Sequence, residues 1–331
     1  MGVTIRDVAK QADVSVATVS RALRGHATVS AATKERVEAA AAALDYVLPF
    51  RTEAAIRTRP IRVAAVMPHI GRWYFAQVLN GIESVLSDRD GELLVVRPFD
   101  RQNRLRSLVD LLDANVVDAA VVVSLGISDL EIATLRERGI GLSLLGTTHA
   151  QVSNVAIDDV EAARQLTAHF VEQGHARIGL VSSAPFDPTP STVSFNRREG
   201  FHRALTQAGI NVDPSLEVIS DFSIRGAQRA VERLFSLEDP PTAIIAESDE
   251  LAFGVLTAAR QHGLRIPDDL SVGGIDNHDL SEAWDLTTIA QPVASLAEVA
   301  TWQAISKSEG YASVVMPTSL IIRGTSMRLK P

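Results

Sequence analysis

The chain has 331 residues, 46% apolar and 22% charged, with no cysteine and a net charge of −8. That length predicts two or three domains rather than one small core, in a composition ordinary for a soluble globular protein. The lack of cysteine excludes disulfides, thiol catalysis and cysteine-ligated metals; no apolar run is long enough to cross a bilayer, and the chain opens on a folded motif rather than a signal peptide, so the cytoplasm is the expected location.

Residues 4–23 read as two short helices joined by a tight turn. Thr4 caps the first, with Asp7 three residues on completing a capping box, and Ile5, Val8 and Ala9 form its apolar stripe. Ala12-Asp13-Val14 breaks the period, and Ser15 caps a second helix that buries Val19, Ala22 and Leu23. Two such helices cannot bury a core alone. Ser30 starts a third, with Val37, Ala40, Ala41 and Leu44 facing inward. This is the plan of a helix-turn-helix DNA reader; the alternative is a small helical bundle with no nucleic-acid role. Residues 1–60 carry nine Lys/Arg against six Asp/Glu, a local +3 beside −11 for the remainder. The basic end approaches phosphates while the acidic body is repelled.

Residues 48–60 follow as a hinge framed by Pro49 and Pro60, either a helix that orders on DNA or a plain linker. From Ile61 the pattern becomes apolar strands (63–67, 93–96, 119–123, 142–145, 178–181, 217–220, 243–246, 271–275) alternating with helices (75–88, 105–114, 129–138, 159–173, 197–208, 224–235, 250–262). Such alternation indicates parallel sheets covered on both faces. Eight strands exceed a typical open sheet, so a two-lobed α/β body is expected, with its binding site at strand C-terminal ends between the lobes. The phosphate-loop, nucleophile-elbow, dinucleotide and zinc-protease motifs are missing, which argues against an enzyme. Asp158-Asp159 reads as a helix N-terminal acidic pair, with metal binding as the minor alternative. No metal or cofactor is expected.

The order of these parts resembles the lactose-repressor (LacI/GalR) family of bacterial transcription regulators, with a body like periplasmic sugar-binding proteins. The likeness rests on Thr4-Ile5-Arg6-Asp7-Val8-Ala9, Val14 to Leu23 and Val29-Ser30 at the front. In the body it rests on Arg197-Arg198-Glu199-Gly200-Phe201, Ser248-Asp249, Gly274-Ile275-Asp276, Thr287 to Pro292 and Pro317 to Gly324. It implies a DNA-binding domain at 1–47, the hinge at 48–60 and an effector-binding and dimerisation domain at 61–331. Within the last, one lobe is expected over 61–157 and 287–318 and the other over 158–286 and 319–331. No apolar heptads follow Arg323-Gly324, so a C-terminal coiled coil is not expected.

The resemblance also implies roles for residues. Val16 and Ala17 stand where the second helix meets base edges, and both offer only apolar contact. Arg21 contacts either guanine or a phosphate, while Thr4, Ser15, Thr18, Ser20 and Ser30 contact phosphates. In the hinge, either Ala55 or Ile56 takes the place of the family's minor-groove leucine. In the cleft, Arg197 and Asp276 face one ligand, or else form a structural ion pair. Phe222 stacks on the ligand ring; Trp73, Tyr74 and Phe75 face the cleft or pack the lobe; Ser248 replaces the usual Asn; Gln291 lies at the crossover. The implied partners are a palindromic DNA duplex, a second copy of the chain and a small effector, with a saccharide the first expectation and a purine the second.

Overall fold

The computed structural model describes residues 5–14, 18–19, 31–43, 60–98, 107–114, 116–183, 192–306 and 310–329. They fall into two units, Met1–Pro60 and Ile61–Pro331.

In the first unit, α1 (Ile5–Gln11) ends at a turn where Asp13 takes φ 50°, a left-handed conformation that Asp tolerates. Helix α2 spans Ala31–Ala43. Val8, Ala9, Ala12, Val19, Val37, Ala40 and Ala41 form one buried cluster. Arg36 donates to the Ala12 carbonyl at 3.1 Å, tying α2 to the turn. Thr18 and Val19 are helical, Thr18 half-buried and Val19 buried. The expected cap at Thr4, the residues expected to face inward, Ala22, Leu23 and Leu44, and those expected to face DNA, Ser15, Val16, Ala17, Ser20, Arg21 and Ser30, lie outside the described residues. So do Ala55 and Ile56 of the hinge.

The second unit holds two six-stranded sheets. The first comprises β1 (Arg62–Val66), β2 (Glu92–Val96), β3 (Ala119–Val123), β4 (Gly141–Leu145), β5 (Ser153–Ile157) and β11 (Ser313–Met316). Its order is β11-β5-β4-β3-β1-β2, parallel throughout. The second comprises β6 (Ile178–Ser183), β7 (Glu217–Ser220), β8 (Ala243–Ala246), β9 (Ser271–Asp276), β10 (Thr287–Ala290) and β12 (Ser319–Ile321). Its order is β12-β10-β9-β8-β6-β7, parallel except that β12 runs against β10. The central strands β3 and β8 are buried at every position, which is why they read as unbroken apolar runs.

Helices α3 (Trp73–Ser87), α4 (Leu108–Leu111), α5 (Asp129–Glu137) and α10 (Val293–Ser306) accompany the first sheet. Helices α6 (Asp159–Glu172), α7 (Thr192–Gln207), α8 (Ile224–Phe235) and α9 (Asp249–Gln261) accompany the second. Several starts are set by side-chain caps. Ser128 and Glu131 form a full capping box on α5, Asp158 caps α6, and Ser223 caps α8.

The topology corrects the expected lobe boundary. Thr287–Ala290 was placed in the first lobe, but β10 pairs with β9 in the second sheet, so the chain returns to the first lobe only after Ala290. The helix expected over 105–114 is a single turn from Leu108 to Leu111, and the one expected from 197 begins at Thr192. Four strands lay outside the sequence reading: β5, β10, β11 and β12. They are short, polar or at sheet edges, and each pairs with at least one strand that is not its chain neighbour. The chain passes between sheets at β5–α6, at β10–α10 and at β11–β12.

Candidate functional site

Two of those crossings bound a cavity of about 760 Å³, counting its open mouth, lined from both sheets. Pro68, His69, Tyr74, Phe75, Ser124 and Gly146 belong to the first lobe. Arg197, Phe222, Glu247, Ser248 and Asp276 belong to the second. Asp159 and Gln291 sit at the crossings themselves.

Arg197 is buried on α7, one turn before Gly200. Its Nε donates to Asp159 Oδ1 at 2.7 Å, and its Nη1 donates to the Glu247 carbonyl. Asp276 Oδ1 stands 3.9 Å from Nη1 and accepts instead from Gln291 Nε2 at 2.6 Å. The expected Arg197–Asp276 pairing is thus indirect, and Asp159 is its nearest carboxylate. Asp158 and Asp159 do stand at a helix N-terminus: Asp158 caps α6 by accepting from the Glu161 N–H at 2.9 Å, and Asp159, in the first turn, pairs with Arg197. Among the described residues no group of three or more His, Asp or Glu is placed to hold a metal ion.

Burial pushes the Asp159, Glu247 and Asp276 carboxyls above the ordinary range, against the opposing pull of Arg197. For Asp276 the neighbouring Asp249 adds to the rise. Burial opposes the charge on Arg197, but Asp159 and Asp276 outweigh it and hold the guanidinium protonated. Tyr74 is raised by burial and by Asp159 and Asp276, and its phenol bonds Ser124.

Both Phe222 and Asp276 carry positive φ, 53° and 134°. Side chains held in such conformations cluster where a ligand is gripped. Phe222 stacks on His69 at 5.7 Å between centroids, joining the lobes across the cavity. Burial, with Arg72 and Arg97 nearby, lowers the His69 pKa to about 4.

The other expected residues separate. Tyr74 and Phe75 line the cavity, but Phe75 is also a buried member of the main core. Trp73 does not line it. Its indole Nε1 donates to Asp279 Oδ2 at 2.9 Å and its ring stacks on His278 at 4.9 Å, so it closes one lobe onto the other. Ser248 lines the cavity, but its hydroxyl caps α9 by accepting from the Leu251 N–H at 3.4 Å. Sequence reasoning missed Asp159, Glu247, Ser183 and Ser194. The signal available for the first was a second carboxylate beside the one that caps the helix from 159; for Glu247 it was a charged residue closing the strand 243–246.

Residues 4–48 match the bacterial regulatory proteins of the lacI family, and residues 167–326 match a periplasmic binding protein-like domain. The HTH-type transcriptional repressor CytR of Escherichia coli K12 is 32% identical over 98% of this chain and 97% of its own length. The chain belongs to the lacI family. As a lacI-family protein it is a DNA-binding transcription regulator rather than an enzyme, with a helix-turn-helix head and a two-lobed α/β body. Among solved structures, this lacI-family chain is similar to the transcriptional regulator CelR in complex with cellobiose. That match has a TM-score of 0.70 and 25% identity, over 98% of this chain and 100% of the other. It is also similar to a LacI family regulator from Enterococcus faecium with bound ribose, at a TM-score of 0.72 and 25% identity, over 81% of this chain and all of that one. No helix among its described residues is long and apolar enough to cross a membrane.

Proposed function

We propose that the protein is a cytoplasmic, homodimeric repressor that holds a palindromic operator and releases it when a small saccharide fills the cavity between the lobes. One observation carries the ligand class: a buried guanidinium among three carboxylates, walled by Tyr74, Phe75 and Phe222. Charged acceptors and donors set beside aromatic faces suit a ring that presents adjacent hydroxyls on its edge and C–H groups on its face. Two structures of similar fold carry cellobiose and ribose, which supports the same class here.

In this reading Arg197, Asp276 and Gln291 bind hydroxyls, Phe222 and Tyr74 pack the ring, and Ser248 and Phe75 shape the wall. Trp73 acts on closure rather than on the ligand. The head reads DNA through Val16, Ala17 and Arg21, with Thr4, Ser15, Thr18, Ser20 and Ser30 on phosphates and Ala55 or Ile56 at the minor groove. One head reads too few base pairs to select a genomic site, which is the reason for two-fold pairing. Ligand-driven closure shifts the lobes that carry the hinges, and the coupling is reciprocal: operator and effector weaken each other.

The test is fluorescence anisotropy of the full chain with a labelled palindromic duplex, titrated with saccharides and with nucleobases. The expected result is salt-sensitive binding reversed by a saccharide. Tighter DNA binding on adding a purine, with no saccharide effect, overturns the ligand class and the sign of regulation. A monomer with no affinity for any palindrome overturns the whole reading.

A further inference from the structure

Among the described residues, the charged groups lining the cavity are three carboxylates, Asp159, Glu247 and Asp276, and one guanidinium, Arg197. All four are buried. Asp159 is bound to Arg197, and Asp276 to Gln291. Glu247 differs. Its Oε1 accepts from the Ser183 backbone N–H at 2.8 Å, the Ser194 hydroxyl at 3.1 Å and the Ser183 hydroxyl, and these three donors fix the carboxylate. Its Oε2 is buried with no hydrogen-bond partner. Arg197 does not serve it, because Nη1 is directed to the Glu247 carbonyl. A buried acceptor left open in this way, on the wall of a cavity, is completed by what enters the cavity.

We propose that Glu247 is a specificity-determining residue of the cleft, and that its open Oε2 receives the protonated amine of an amino-bearing saccharide. The inference rests on reading the cavity as a saccharide site. Its further ground is charge. A neutral sugar satisfies Oε2 with a hydroxyl but leaves three buried acids facing one base; an ammonium supplies donor and charge together. His69 does not redress the balance, since burial beside Arg72 and Arg97 keeps it neutral. Burial raises the three carboxyls, with Asp249 and Glu250 adding to the negative field at Asp276 and Arg197 opposing it. An ammonium at Oε2 favours the charged carboxylate that burial disfavours.

The test is calorimetry of the full chain with the 2-amino-2-deoxy forms of glucose, galactose and mannose and with the three neutral parents. At least one amine is expected to bind tenfold or more tightly than its parent. Glu247→Gln keeps the volume and the Oε1 acceptor; it is expected to weaken the amine at least tenfold more than the parent, with a cooperative melt showing that it folds. All three parents binding as tightly as their amines, or Glu247→Gln weakening amine and parent alike, overturns the role of Glu247 and leaves the saccharide reading standing. Failure of all six to bind also overturns it, and the saccharide reading is then judged by the wider operator-release titration.

Discussion

Arg197 Nε meets Asp159 Oδ1 at 2.7 Å, whereas Asp276, the acid that the sequence pattern pairs with it, stands at 3.9 Å. Asp159 begins α6 directly after the first crossing, and Arg197 lies on α7. The guanidinium therefore ties the hinge to the floor of the cleft rather than forming an isolated pair with the end of β9.

Removing one partner of a buried ion pair leaves the other uncompensated, at about 3–5 kcal/mol. Asp159→Ala is expected to lose stability in that range, and Asp276→Asn distinctly less, because its nearest bond is to Gln291. Urea denaturation of both variants measures the difference. Equal losses would show that Asp276 carries as much of the Arg197 charge as Asp159.

Gly200 lets α7 approach α6: an added Cβ there would lie 2.1 Å from the Val160 carbonyl oxygen and 2.9 Å from the Arg164 nitrogen. Both neighbours are backbone, so the helices must part. Gly200→Ala is expected to destabilise by about 1–3 kcal/mol. It should also weaken effector binding, since Arg197 rides one turn away and must reach Asp159 across the same seam. Thermal melts and effector titration of the variant check both effects.

Trp73 joins the lobes through Asp279 and His278, with Arg72 4.0 Å from Glu250 beside it. Trp73→Ala removes a hydrogen bond worth about 0.5–1.5 kcal/mol along with the ring contact. The unliganded body is expected to open, seen as a larger radius of gyration by small-angle scattering and a faster effector off-rate. An unchanged scattering profile would mean that other contacts hold the lobes.

His69 has an ordinary pKa of 6.5 and a folded value of about 4. Its neutral form is the native one, so its contribution to stability is complete above pH 6.5 and is lost as pH falls through 4. Asp159, Glu247 and Asp276 act the other way, because their folded values are raised: their contribution is present below the ordinary carboxylate range and lost as pH rises through the folded values. The imidazole resonance of His69 is expected to titrate near pH 4, and His69→Gln to flatten the loss of stability on the acid side. A midpoint near 6.5 would place the ring in solvent.

Arg21→Ala is expected to lower operator affinity by about 1–3 kcal/mol, the range for one bidentate contact to guanine, and to relax preference at one base pair. Anisotropy with matched and substituted duplexes measures it. A uniform loss on every sequence, with a shallower salt slope, would assign Arg21 to a phosphate.

Much of this molecule was legible from its residues because the signals are local. Parallel strands buried on both faces must be apolar throughout, so 119–123 and 243–246 declared themselves. The period of the head places Val8, Val19, Val37 and Ala40 inside, and all four are buried. The strands that escaped, β5, β10, β11 and β12, carry Ser, Asn or Thr, and each is held in part by a strand that is not its chain neighbour. In the cleft, the family resemblance implies Arg197, Tyr74, Phe222, Asp276 and Gln291, and these five line one cavity. Trp73 does not, because a ring at a helix start can face the cavity or the opposite lobe, and the next residue takes the other direction.

Sequence alone determined a basic helical head, an acidic α/β body and the order of its segments, since charge, period and apolar runs act over a few residues. Tertiary structure decided that Asp159 rather than Asp276 grips Arg197, that β10 belongs to the second sheet, and that one oxygen of Glu247 is left open. Those outcomes depend on which distant groups meet in a dry interior, where a shift of about an ångström decides whether a charge is paired.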